Sequence, residues 1–149
     1  MKAAIQAVEF NHQVQQLLAA CDLPTEDLLL PVTARRLFGC QLDGRLAGLV
    51  GVEIHGPDAL LRSLAVADSA RGKALGAALL AYAEQYAAAQ GVQTIYLLTT
   101  TAETFFAQRG YSLAQRVAAP AAIAATQQFS GLCPAAAAFM LKRLNQPAG

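Results

Sequence analysis

The stretch that most constrains this chain is residues 60–91, LLRSLAVADSARGKALGAALLAYAEQYAAAQG. It opens with an apolar run of strand length, residues 60–66. Asp68, Ser69 and Ala70 make a short polar bend, and Arg71-Gly72-Lys73-Ala74-Leu75-Gly76 leads into a helical pattern. Leu75, Leu79, Tyr82, Ala83 and Tyr86 recur at helical spacing and give that helix one apolar face. Gly91 suits its C-terminal stop. The unit is therefore strand, basic glycine-containing turn, helix. The first N–H groups of a helix have no partner within it and carry partial positive charge, so they attract an anion. Arg71 and Lys73 set full charges beside them, an arrangement that suits a pyrophosphate. The spacing by itself better suits a turn in which Gly72 and Gly76 serve only bending and packing. Neither G-x-x-x-x-G-K-[ST] nor G-x-G-x-x-G is present, which excludes a P-loop and a dinucleotide fingerprint.

The flanking sequence supplies a sheet. A short strand is expected within residues 3–9, followed by a helix capped by Asn11 with Val14, Leu17, Leu18 and Cys21 on one face. Pro24-Thr25-Glu26-Asp27 reads as another helix start, broken by Pro31. Residues 36–42 and 46–55 read as strands joined at Asp43-Gly44, a hairpin signal. In the second of them Gly51, Glu53 and His55 share one face, and Val50, Val52 and Ile54 the other. Residues 94–99, TIYLLT, form a strand after the long helix, and a helical crossover makes it parallel to 60–66. Thr101 is placed to cap a further helix ending at Gly110. A strand at 112–117, a short helix at 121–126 after Pro120, and a last strand at 137–144 complete the pattern. Strands alternating with helices predict an α/β sheet, and residues 1–149 read as one domain.

Composition narrows the function classes. Hydrophobic residues make up 55% and charged residues 14%, much of the former alanine. No apolar run approaches the roughly 18–20 residues of a membrane span. The N-terminus MKAAIQAVEFNHQ has no continuous apolar segment of the signal-peptide kind. A net charge of +1 and the lack of a basic tract speak against nucleic acid as a partner. The three cysteines, Cys21, Cys40 and Cys133, are far apart and odd in number, which points to a reducing compartment rather than a disulfide framework or a zinc site. His12 and His55 are not spaced to complete one, so no metal is expected and the chain reads as cytoplasmic.

Val66-x-x-x-x-Arg71-Gly72-Lys73-x-Leu75-Gly76, followed by an amphipathic helix, resembles motif A of the GNAT acyl-CoA N-acyltransferases, usually Arg/Gln-x-x-Gly-x-Gly/Ala. Ala74 stands where that motif has its first glycine. Downstream, Ala102-Glu103-Thr104-Phe105-Phe106-Ala107-Gln108-Arg109-Gly110-Tyr111 is similar to the family's second helix signature. The two matches, in order, span residues 46–111. More closely, LLRSLAV, YLLTTTAE-x-FF and QFSGLCP are similar to GNAT proteins grouped with arsenic resistance.

The resemblance implies a mostly antiparallel mixed α/β sheet in which the parallel pair around 60–66 and 94–99 is splayed, with helices on both faces. It implies acetyl-CoA as acyl donor. Leu64, Ala65 and Val66 would pair through their backbone with the pantetheine arm, and one of their N–H groups would polarise the thioester carbonyl. The backbone of Arg71, Gly72, Lys73, Ala74, Leu75 and Gly76 would hold the pyrophosphate, with Thr99 and Phe106 completing the cofactor site. Ala74 would follow a helical first turn and so be tolerated. The partner is a small-molecule amine, and a homodimer is compatible with the family.

Transfer from a thioester to an amine needs a polarised carbonyl, a neutral amine, a protonated leaving thiolate and alignment. Glu53 is the candidate general base, because it projects beside Gly51 and His55; its alternative is an ordinary solvated strand residue. His55, at a strand end, reads as solvated. Phe106 stands where many family members have a tyrosine acid, so the thiolate would take its proton from water, while Tyr111 fills a buried aromatic position. Arg62 lies in an otherwise apolar run and needs a partner. That partner is either Glu53 on the neighbouring strand or the acid group of an amino-acid-like or oxyacid-bearing acceptor, shared with Ser63 and Arg116. A guanidinium fork suits a carboxylate or oxyacid in two places. A non-catalytic acyl-CoA-binding or sensing domain is the alternative function. A thiol-based arsenical binder is a third, to which the cysteine spacing lends little.

Overall fold

A computed structural model describes residues 5–21, 35–42, 44–67, 74–100, 102–126 and 137–144. The order is β1 (Ile5–Val8), α1 (His12–Ala20), β2 (Arg35–Leu42), β3 (Arg45–His55), β4 (Asp58–Val66), α2 (Leu75–Ala89), β5 (Thr94–Thr99), α3 (Glu103–Ala107), β6 (Ser112–Leu113), α4 (Ala121–Ala124) and β7 (Ala138–Arg143). One turn of 3-10 helix, Arg116–Ala118, precedes α4. The strands form one seven-stranded sheet in the order β1-β2-β3-β4-β5-β7-β6. Every neighbouring pair is antiparallel except β4 and β5. The parallel pair has the helical crossover that such a connection requires.

Alternation along the strands divides the core between the two faces. Phe38, Val50, Val52 and Leu61 pack with Leu75, Leu79, Leu80, Ala83 and Ala87 of α2. Leu37, Leu49 and Ala65 pack with Val14, Leu17 and Leu18 of α1 on the other face. Ile123 of α4 is buried against Leu60 and Phe139. Close approach of α2 to β3 depends on Gly48, where a Cβ would sit 2.6 Å from Leu79 Cδ1 and 3.0 Å from Leu75 Cδ2. The α1 start is as the sequence suggests: Val14 N donates to Asn11 Oδ1 at 3.0 Å. Gly44, in the β2–β3 hairpin, has φ 78°, a conformation that favours glycine. Asp43 and the helix start at Pro24 lie outside the described residues.

Two expectations are corrected. The strand at 112–117 is only Ser112–Leu113. A strand continuing in register would bring residue 116 opposite Ala137, but Arg116 Nη2 instead donates to Ala137 O at 2.9 Å, and the backbone turns into the 3-10 turn. The third helix has Ala102 as its N-cap with no side-chain cap. Thr99 Oγ1 takes the Ala102 N–H at 3.0 Å instead. Thr101 lies outside the described residues.

Candidate active site

β4 is the element on which the site is built, because it loses regular pairing on both sides at once. With β5 it shares three register pairs, Asp58↔Thr94, Ala59↔Ile95 and Leu60↔Tyr96, and there the ladder ends. Both strands run on, β4 to Val66 and β5 to Thr99, so a wedge opens between them. With β3 the register jumps from Gly51↔Arg62 to Leu49↔Ala65. Val50 thus faces two residues, Ser63 and Leu64, which is a β-bulge. Ser63 takes φ 58°, left-handed and uncommon for a residue with a side chain.

Behind the bulge lies a charged cluster. Arg62 Nε donates to Ser63 Oγ at 3.1 Å, and Arg62 Nη1 to Glu53 Oε2 at 3.3 Å. Arg35 Nη1 stands 4.0 Å from the same oxygen. His55 Nε2 lies 3.4 Å from Glu53 Oε1. The Arg62 side chain is 0% exposed and that of Glu53 7%, so the pair is sealed. Of the two partners considered for Arg62, the geometry supplies Glu53. Glu53 is not the solvated strand residue of its simpler reading, and His55 is half-buried against it rather than free in solvent. Gly51 makes room for the arrangement: a Cβ there would meet Arg62 Cγ at 3.2 Å and Leu37 Cδ2 at 3.0 Å.

At the far end of the wedge, β4, α2 and α3 converge. A Cβ on Gly76 would lie 3.6 Å from Phe105 Cζ and 3.7 Å from Val66 Cγ2, ordinary contact distances. Leu64 and Val66 are half-buried and Ala65 is buried on the α1 face. Cys21 Sγ donates to Val66 O at 3.8 Å. The first turn of α2 receives no cap from the side chain of Ala74 and contains no acidic residue. These are the properties of a helix start able to receive an anion. Arg71, Gly72 and Lys73 lie outside the described residues.

Ala74 itself does not follow a helical first turn. It is left-handed, φ 58° and ψ 19°, at the N-cap of α2. The backbone there keeps the conformation that a glycine would take without strain, and the alanine methyl carries the cost, roughly 1–2 kcal/mol.

Phe106 is buried, edge-on to Phe105 with ring centres 5.1 Å apart and to Tyr111 at 5.5 Å. Phe105, not singled out from the sequence, is the half-buried ring facing Gly76 and Val66. Arg109 lies over it at 3.9 Å and donates to Phe105 O at 2.9 Å. The helical i,i+4 spacing of these two residues was the available signal. Thr99 is half-buried at the end of β5, its Oγ1 accepting the Ala102 N–H. Arg116 is half-buried and sits on the 3-10 turn. The structure thus groups Glu53, Arg62 and Ser63 on one side of β4's bulge, and Val66, Gly76 and Phe105 at its end.

Residues 7–113 match the family model described as the acetyltransferase (GNAT) family. A sequence search of the curated proteins finds no match. Among solved structures, the chain is similar to the N-acetylglutamate synthase of Neisseria gonorrhoeae held with coenzyme A and N-acetyl-glutamate. The TM-score is 0.76 at 18% identity, over 98% of this chain and 36% of the synthase. This chain therefore spans only about a third of that enzyme's length. A GNAT-family acetyltransferase from Staphylococcus aureus superposes at TM-score 0.74 with 16% identity, over 95% of this chain and 100% of that one. An aminoglycoside 6'-N-acetyltransferase complexed with coenzyme A superposes at 0.67 with 19% identity, over 95% and 99%.

Proposed function

The chain belongs to the acetyltransferase (GNAT) family, and from that premise we propose that it transfers an acetyl group from acetyl-CoA directly to the amine of a small molecule, with no covalent enzyme intermediate. The observation that carries this reading is the wedge between β4 and β5, with the β4 bulge at its root and, at its mouth, the start of α2, where Ala74 gives no side-chain cap. The fit to acetyl-CoA is chemical. An extended strand end, Leu64 to Val66, offers backbone groups to the amides of pantetheine, and the α2 start from Ala74 to Gly76 offers N–H groups to a pyrophosphate, a site that Arg71, Gly72 and Lys73 are proposed to complete. Thr99, at the end of β5, and Phe106 belong to the same cofactor site, Phe106 from the packed layer behind Phe105.

In this reading the protein acts chiefly by alignment, which supplies on the order of 7–11 kcal/mol. One backbone N–H on the thioester oxygen adds about 3–4 kcal/mol. Glu53, buried and with Oε2 held by Arg62, takes the amine proton at Oε1 through half-buried His55 beside it. Phe106 has no proton to give, so the thiolate is protonated by water. For an amino-acid-like or oxyacid-bearing acceptor, Arg62 is taken up by Glu53 and Ser63 is held by Arg62, so of the three residues considered for its acid group it is half-buried Arg116, on the 3-10 turn, that is proposed to meet it. The synthase neighbour held with N-acetyl-glutamate supports an amino-acid-like acceptor, and the likeness to proteins grouped with arsenic resistance supports an oxyacid. No helix among the described residues is long and apolar enough to cross a membrane. A cytoplasmic setting is part of the same proposal.

Free CoA thiol released from acetyl-CoA across a panel of amines, amino acids and oxyacid-bearing amines tests the proposal. Thiol release that depends on one class of amine supports it. The strained Ala74 and the tyrosine-less α3 favour one competitor, a domain that binds acyl-CoA without turning it over. Tight acetyl-CoA binding by calorimetry with no amine-dependent release would establish that competitor instead.

A further inference from the structure

Ser63 is strained, nearly sealed and hydrogen-bonded, and no chemical step described above uses it. It is 8% exposed and left-handed at φ 58°. Such a conformation costs about 1–3 kcal/mol in a residue with a Cβ and persists only where its surroundings impose it. The imposing group is visible. Arg62 Nε holds Ser63 Oγ at 3.1 Å, Arg62 Nη1 is fixed by Glu53 Oε2 at 3.3 Å, and Glu53 is gripped in turn by Arg35 and His55. The stem of Arg62 is seated over Gly51 of β3. A three-residue chain, Glu53–Arg62–Ser63, therefore runs from β3 into the bulge.

The bulge is also where β4 gives up its partners. Ser63 and Leu64 have no register partner of their own on β3, and β5 is no longer paired beyond Leu60. The direction in which the Ser63–Leu64 backbone points is consequently not set by a ladder. What holds this segment instead is the packing of Leu64 against the core and the bond from Arg62 to Ser63 Oγ.

We propose that Ser63 is a positioning residue: its hydroxyl, held through Arg62 by Glu53, locks the β4 bulge so that the backbone entering Leu64 faces the acyl group of the bound thioester. The inference rests on the acetyl-CoA reading above and assigns Ser63 to the donor side rather than to the acceptor. A useful strain is retained at a functional position, and the hydrogen bond is what makes it tolerable.

The test compares acetyl-CoA with free CoA, which lacks the carbonyl, by calorimetry on the folded full chain. Ser63→Ala removes the acceptor of the Arg62 bond and nothing else. Expected is a fall of about fivefold in the ratio of acetyl-CoA to CoA affinity, as for the loss of one hydrogen bond, with CoA affinity unchanged within about twofold. Ser63→Gly keeps the test open should the alanine variant fold poorly, because glycine accepts φ 58° freely. For it we expect the same fall in the ratio while the melting temperature holds or rises, by up to about 4 °C. A merely structural serine would lose CoA, acetyl-CoA and melting temperature together, and that result overturns the proposal. So does an unchanged ratio in both variants. Failure of the wild-type chain to bind either molecule overturns the acetyl-CoA reading itself, and the inference with it.

Discussion

Tyr111 donates its phenolic hydrogen to Glu84 Oε2 at 2.9 Å, and Lys142 Nζ closes on the same carboxylate at 3.1 and 3.2 Å. The contact ties the segment after α3 to α2 and to β7. Burial, then the nearby Glu84 charge and the hydrogen bond to it, push the Tyr111 hydroxyl far above its ordinary value. The folded protein thus keeps this proton where the unfolded chain would release it. Its contribution is complete below about pH 10 and declines as pH rises further. Tyr111→Phe should cost about 1–3 kcal/mol at neutral pH, from the lost bond and the Glu84 oxygen left short of a donor. Urea unfolding from about pH 9 to about pH 11 should show a steeper alkaline loss in the wild type than in the variant. Equal slopes would remove Tyr111 from the alkaline limb.

Ala74 and Gly76 separate strain from electrostatics at the α2 start. Ala74→Gly relieves a left-handed alanine and should stabilise the fold by about 1 kcal/mol. It should change acetyl-CoA affinity by less than about tenfold, since the backbone already has the glycine-like conformation. Gly76→Glu should abolish acetyl-CoA binding, because it sets like charge where phosphate would sit. Thermal unfolding and calorimetry read the two effects apart, and normal binding by the Gly76→Glu variant would move the pyrophosphate elsewhere.

Glu53 holds two guanidiniums that have little access to water. Glu53→Gln keeps the shape and removes the charge, leaving Arg62 and Arg35 against a neutral amide. Breaking a buried pair from one side typically costs about 3–5 kcal/mol, so the midpoint of urea unfolding should fall markedly. A variant as stable as wild type would show that other groups balance the arginines.

Gly48 is a packing requirement, not a turn. Gly48→Ala must push Leu79 and Leu75 aside, with a Cβ 2.6 Å from one and 3.0 Å from the other. Overpacking of this kind costs about 1–3 kcal/mol. Differential scanning calorimetry gives the number, and no loss would mean that α2 slides easily on β3.

Phe106→Leu should lower activity only in proportion to its loss of stability, because the ring is a buried member of the core. Activity across pH, measured beside unfolding, checks this. A variant of normal stability with an altered alkaline limb would give Phe106 a part in proton handling.

The residues that spoke most clearly in the sequence are those whose local chemistry is self-contained. Asn11 capped its helix, Gly44 turned its hairpin and the alternation around Val50 and Val52 marked an inward face. Arg62 announced its need for a partner because a guanidinium in an apolar strand has no other way to persist. What remained hidden depended on register. Glu53, Arg62 and Arg35 come from three strands, and the bulge at Ser63 decides which of them face one another. Left-handed backbone is ordinarily read from glycine, yet at Ser63 and Ala74 no glycine marks it. Of the adjacent rings Phe105 and Phe106, only the i,i+4 spacing of Phe105 to Arg109 set one apart, and in the fold Phe106 packs inward on Tyr111 while Phe105 meets the end of β4.

The three-pair junction between β4 and β5 has a mechanical meaning. Four strands lie to one side of it and three to the other. Two plates riveted at one edge resist sliding but yield to prying. Compliance therefore grows with distance from Asp58 and Thr94 and is largest at Val66 and Thr99, the tips of the blades. Val66 keeps Gly48 and Thr99 keeps Ala138 as partners on their outer sides, so each blade is stiff along itself and the freedom that remains is the angle between them.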